Sequence, residues 1–146
     1  MKILFNRIVA VFFVAYFLAA ALAAAEVEGK ITSPANGGDV SAVYEVSGTV
    51  AGLEKSQELW VVVRKGKNFW PKDKAFVVGG AEWSATVDES ATKSGRPYSL
   101  VLLAVGFKGQ AEIADWYARG DETDWWPALG EIKESVALDQ VDVRRK

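Results

Sequence analysis

The sequence predicts a mainly-β domain: a two-sheet sandwich with one short helix before the last strand. Three observations carry this. About seven short segments of strand character follow one another between residues 30 and 143, separated by turn formers. Two of them, Leu59–Arg64 and Tyr98–Val105, are apolar on both faces, which marks strands covered on both sides. One stretch alone, Gln110–Arg119, carries helical spacing.

Taken in order, Lys30–Thr32 is a short strand closed by the turn-rich segment Ser33–Asp39. From Val43 to Val50 the chain alternates. Tyr44, Val46, Gly48 and Val50 fall on one side, with Val43, Glu45, Ser47 and Thr49 on the other. Ala51–Lys55 connects to the apolar strand Leu59–Arg64, and Lys65–Asn68 is a polar turn. Phe69-Trp70-Pro71 follows, where Pro71 favours an edge or a loop because it cannot donate to a ladder. Ala75–Val78 is a short strand stopped by Gly79-Gly80. Glu82–Asp88 alternates with Trp83, Ala85 and Val87 inward, and residues 90–95 form a polar loop.

After Tyr98–Val105 the helix spans Gln110–Arg119. Ala111, Ala114 and Ala118 lie at helical spacing with Ile113 and Tyr117 beside them, and the apolar side, with Ile113, Trp116 or Tyr117, is expected to cap an open end of the sandwich. The acidic stretch Asp121–Asp124 and the Trp125-Trp126-Pro127 loop lead to a last strand, Ser135–Val143. Arg144-Arg145-Lys146 reads as a solvated tail.

The start of the chain has a different character. Lys2 and Arg7 precede an unbroken apolar run from Ile8 to Leu18, and an alanine-rich segment ends at Ala25. Basic start, apolar middle and small-residue end form the pattern of a secretory signal peptide, cleaved after Ala25. The expected layout is therefore a signal over 1–25 and one domain over 26–146, periplasmic or secreted. Retention as an anchor is the alternative, since Ile8–Ala25 just reaches spanning length. Membrane association is expected only in that case.

Composition bounds the chemistry. The chain has no His and no Cys, which removes the common zinc, copper and haem ligand sets, lipoprotein processing and the usual His-assisted nucleophiles. Without Lys2 and Arg7 the formal charge falls by two from −2, and no dense basic patch exists. Nucleic acid is not an expected partner. Neither a cofactor nor a metal is implied. The acidic residues Asp115, Asp121, Glu122 and Asp124 lack the spacing of a calcium loop and read as a solvated segment. No carboxylate pair is marked for glycoside hydrolysis, and no Ser-x-x-Lys motif lies on the helix. The sequence thus reads as that of a non-enzymatic module.

Several motifs occur in a suggestive order: Ser47-Gly48-Thr49-Val50, Leu59-Trp60-Val61-Val62-Val63, Trp70-Pro71, Gly80-Ala81-Glu82-Trp83 and Tyr98-Ser99-Leu100-Val101. Together they resemble exported prokaryotic domains with an immunoglobulin-like sandwich. The resemblance covers roughly residues 30–105, and it implies a binding or spacer role. An OB-like small barrel is the alternative fold.

Six tryptophans are candidates for packing or recognition. Trp60 and Trp83 lie within strands and read as core. Trp70, Trp125 and Trp126 lie beside prolines in loops, where exposed rings can stack on sugar faces or hold an extended peptide. They are the candidate ligand-binding residues, with a cell-envelope glycan or protein as the partner. The alternative function is an envelope accessory protein that pairs through a sheet edge without a small ligand.

Overall fold

The structure is a computed structural model, described over residues 26–146. The expected signal segment, 1–25, lies outside the described residues. Among the described residues no helix is long and apolar enough to cross a membrane.

Two sheets face each other. The four-stranded sheet has the order β1 (Glu28–Ser33), β3 (Val43–Ala51), β7 (Glu82–Asp88), β6 (Phe76–Val78). The five-stranded sheet has the order β2 (Gly38–Val40), β9 (Ser135–Arg145), β8 (Pro97–Val105), β4 (Glu58–Lys65), β5 (Asn68–Lys74). One helix, α1 (Phe107–Thr123), precedes β9. The sheets form a sandwich and not a closed barrel, so the OB-like alternative is set aside.

Alternation decides which residues meet between the sheets. Val46 and Val50 of β3, together with Trp83, Ala85 and Val87 of β7, face Leu59, Val61 and Val63 of β4 and Tyr98, Leu100 and Leu102 of β8. The opposite faces of β4 and β8 are apolar too, because they support a second layer. Val62, Val101, Leu103 and Val105 pack with Ile113 of α1 and Ile132. Both continuous apolar strands are thus covered on both sides, as their sequences require.

Three expectations are corrected. The segment Ser33–Asp39 does not simply close a strand, since Gly38–Val40 forms the parallel edge strand β2 along β9. Arg144 and Arg145 are not a solvated tail. They continue β9, pairing with Pro97 and β2, and the Arg145 amide donates to Arg96 O at 3.0 Å.

The third concerns the helix, which is 17 residues long and lies on the outer face of the five-stranded sheet, not on an open end. Its buried stripe is Gly109, Ile113, Trp116 and Gly120, while Ala111, Ala114 and Ala118 face solvent. Two glycines occupy the contact face because there is no room for a Cβ. At Gly109 a Cβ would lie 2.1 Å from Lys133 O and 2.5 Å from Val105 Cγ1. The helix stops at Asp124, whose left-handed backbone lets its amide donate to Gly120 O at 2.8 Å.

The sheet edges are short or obstructed. β2 and β6 have three residues each, and β5 carries Pro71. In β1 the amide of Ile31, on the side away from β3, donates to Asp139 Oδ2 at 2.8 Å.

Candidate functional site

A cleft of about 620 Å³ opens where four segments converge on one side of the helix. β4 ends in Lys65. β5 supplies Trp70, Pro71 and Lys72. The end of β7 and the loop after it supply Asp88, Glu89, Ala91 and Thr92. The helix and the segment beyond it supply Trp116, Tyr117 and Trp126.

Aromatic rings form one wall. Trp116 is buried, and its Nε1 donates to Pro127 O at 2.7 Å, which fastens the post-helix loop to the helix. The Trp126 ring lies 5.0 Å from that of Trp116 and 5.5 Å from that of Tyr117, inclined at 60° and 67°. Gly120 makes this placement possible: a Cβ there would lie 2.2 Å from Trp126 Cε3 and Cζ3. Opposite, Trp70 Nε1 donates to Trp126 O at 3.3 Å, so β5 and the post-helix loop are tied across the cleft. The Tyr117 hydroxyl donates toward Pro71 O and Lys72 O, at 3.1 and 2.9 Å. Burial pushes it up to about 12, with the negative charges of Asp73 and Asp121 adding to the shift.

The other wall is a charged lock built on Glu89, which is only 5% exposed. Glu89 Oε1 pairs with Lys72 Nζ at 2.5 Å and Oε2 with Lys65 Nζ at 3.1 Å. The Thr92 hydroxyl donates to Oε2, and Lys65 Nζ donates to Thr92 Oγ1 at 2.7 Å. Burial by itself would raise the Glu89 carboxyl. The hydrogen bonds from Lys72 and Thr92 and the Lys72 charge outweigh it and hold the carboxyl below its ordinary value. Lys65 also lies over the rings of Trp70 and Tyr98, at 5.5 and 5.8 Å from their centroids. Behind it the hydroxyls of Tyr98 and Tyr44 meet at 2.7 Å, and burial raises both phenols.

The three tryptophans singled out in the sequence separate. Trp70 and Trp126 are half-buried and share the cleft. Trp125 is 69% exposed and does not line it. Trp60 is half-buried under the helix at 6.2 Å from Tyr117, outside the inter-sheet core that holds Trp83. Sequence reading missed Glu89, Lys65, Lys72 and Thr92. A signal for Glu89 existed: it continues the inward alternation of Trp83, Ala85 and Val87 by one more step. The acidic run does not form a loop as expected. Asp121 and Glu122 belong to the last turn of α1, and Asp115 pairs with Arg119 at 2.5 Å. Among the described residues no group of three or more acidic side chains is placed to hold a metal ion.

No family model matches this chain, and no curated protein matches it. Among solved structures it is similar to an endo-β-1,4-mannanase from Thermotoga petrophila, at 13% identity and a TM-score of 0.50. The match covers 84% of this chain and 20% of the mannanase, so the chain spans about a fifth of that protein's length. An engineered protein matches at 17% identity and a TM-score of 0.46, over 85% of this chain and 21% of that one. At 13% identity the likeness to the mannanase concerns the fold alone. It also corrects one expectation. The sequence leads to the expectation of a non-enzymatic module, yet a similar fold occurs within an enzyme chain. The sandwich by itself therefore does not place this protein outside enzymes.

Proposed function

We propose that this chain is an exported glycan-binding module of immunoglobulin-like architecture, and that the cleft between Trp70 and Trp126 holds the sugar. The observation that carries the reading is the convergence of Trp70, Trp126 and Tyr117 on one concave surface edged by polar groups. Concavity, an apolar lining and a few fixed polar atoms are the usual properties of a small-ligand site. Ring faces suit sugars because the C–H faces of a pyranose are apolar. Export rests on the signal pattern of residues 1–25. The role of Trp125 becomes secondary, that of an exposed ring at the rim of the same loop. Pairing through a sheet edge is the weaker reading, given the short β2 and β6, the proline in β5 and the Asp139 contact on β1.

The test is titration of the purified chain with soluble oligosaccharides, followed by tryptophan fluorescence. Removing one stacking ring costs about 1–2 kcal/mol, about five- to thirtyfold in affinity. Trp70→Ala and Trp126→Ala are each expected to weaken binding by that factor while the far-ultraviolet spectrum stays unchanged. Unaltered affinity in both variants, or binding of extended peptides in place of sugars, would refute the proposal. N-terminal sequencing of the exported protein tests cleavage after Ala25, and an intact Met1 would overturn it.

A further inference from the structure

The cleft contains four charged side chains, Lys65, Lys72, Asp88 and Glu89, and their formal charges cancel. The two lysines are already engaged. Lys65 Nζ is held by Glu89 and Thr92, and Lys72 Nζ by Glu89 and by Asp88 O at 3.1 Å. Asp88 is engaged as well, since its Oδ1 accepts from the amide and hydroxyl of Ser90 at 2.9 and 2.6 Å. Each ammonium keeps one N–H, but its charge is offset by Glu89, so an anionic ligand gains a strong pair only by drawing a lysine away from a carboxylate that is almost wholly buried, and a buried charge tolerates that poorly. The rest of the cleft lining is largely aromatic, and its rings are not coplanar. Tyr117 and Trp126 pack edge to face, with their planes inclined at 67°, so the rings do not form one flat platform that could lie along a planar polysaccharide surface.

We infer that the cleft selects an uncharged, soluble glycan chain, and that Lys65 and Lys72 act on Glu89 and not on the ligand. This rests on the glycan-binding reading above and names its ligand class. The lysines are positioning residues: they hold the Glu89–Thr92 loop as the wall facing the rings.

The experiment compares neutral β-1,4-linked gluco- and manno-oligosaccharides with oligogalacturonate as the acidic counterpart, in dilute and in concentrated salt. A microcrystalline cellulose pull-down is run in parallel. The neutral ligands are expected to bind with an affinity that changes less than about twofold with salt, because no charge pair forms across the interface. Oligogalacturonate is expected to bind at least about tenfold more weakly, an order of magnitude set by a lost ion pair. Cellulose should not deplete the protein. Preferential, salt-sensitive binding of oligogalacturonate, or depletion by cellulose, overturns this inference and leaves the glycan-binding reading standing. Binding of none of these probes overturns both.

Discussion

Gly120→Ala probes the contact on which the cleft depends. In an exposed helix position this change stabilises a protein by about 1 kcal/mol, because alanine is the better helix former. At position 120 the new methyl would lie 2.2 Å from Trp126 Cε3 and Cζ3 and 2.5 Å from Cδ2. Carbon atoms in contact sit about 3.5–4.0 Å apart, so the indole must retreat by more than about 1 Å. Overpacking of this kind costs about 1–3 kcal/mol and outweighs the propensity gain. The retreat also loosens the Trp70 Nε1 bond to Trp126 O, which is already 3.3 Å long.

The expected net loss is up to about 2 kcal/mol, a fall in Tm of up to about 10 °C for a domain of this size. Denaturant unfolding measures it, and near-ultraviolet dichroism reports the displaced ring. Gly120→Ala in a Trp126→Ala background supplies the control. With the ring gone the clash is gone, and the same methyl should stabilise the helix. If Gly120→Ala raises the stability of the intact protein, or costs the same with and without Trp126, the packing argument is refuted.

Three further outcomes are expected. Glu89→Gln removes the anion that two lysines and Thr92 surround, and should cost about 1–3 kcal/mol, discounted because Lys65 can turn to solvent. Since the folded Glu89 carboxyl lies below its ordinary value of 4.5, its stabilisation is present above that pH and is lost as pH falls through the folded value; acid unfolding curves should converge for wild type and Glu89→Gln. Tyr44, Tyr98 and Tyr117 are all raised, so the folded domain over 26–146 should show less tyrosinate absorbance near pH 10 than the unfolded chain. Tyr117 then contributes stability that is lost as pH rises from its ordinary 10.0 through about 12, and a normal phenol titration at pH 10 would contradict this burial. Deleting residues 144–146 removes at least three backbone hydrogen bonds, among them Gly95 N to Arg145 O, Arg145 N to Arg96 O and Lys146 N to Val40 O, and should cost at least about 1.5–4.5 kcal/mol by thermal melting.

Much of the sandwich was legible from local pattern. The alternation of Val43–Val50 and Glu82–Asp88 assigned inward and outward faces correctly, because a pleat turns every second side chain the same way whatever lies opposite. The doubly apolar Leu59–Arg64 and Tyr98–Val105 marked interior strands of the five-stranded sheet. Short or polar elements were harder. β2 has three residues and takes its strand form from β9, and Arg144 and Arg145 become strand because β2 and Pro97 lie alongside them.

Only the tertiary structure decided the helix face and the cleft. Apolar spacing pointed to Ile113 and Trp116, which are buried, and to the alanines, which are not; contact with the sheet also demanded the absence of a side chain at Gly109 and Gly120, and hydropathy does not register an absent side chain as a contact. Glu89, Lys65, Lys72 and Thr92 come from three separate segments, so no spacing along the chain could unite them. Trp70 and Trp126 are likewise distant in sequence, and they meet because helix α1 returns the chain to the edge strand β5. The strand faces follow from the backbone's own period of two. The site follows from long-range packing, which fixes distances that local preferences leave open.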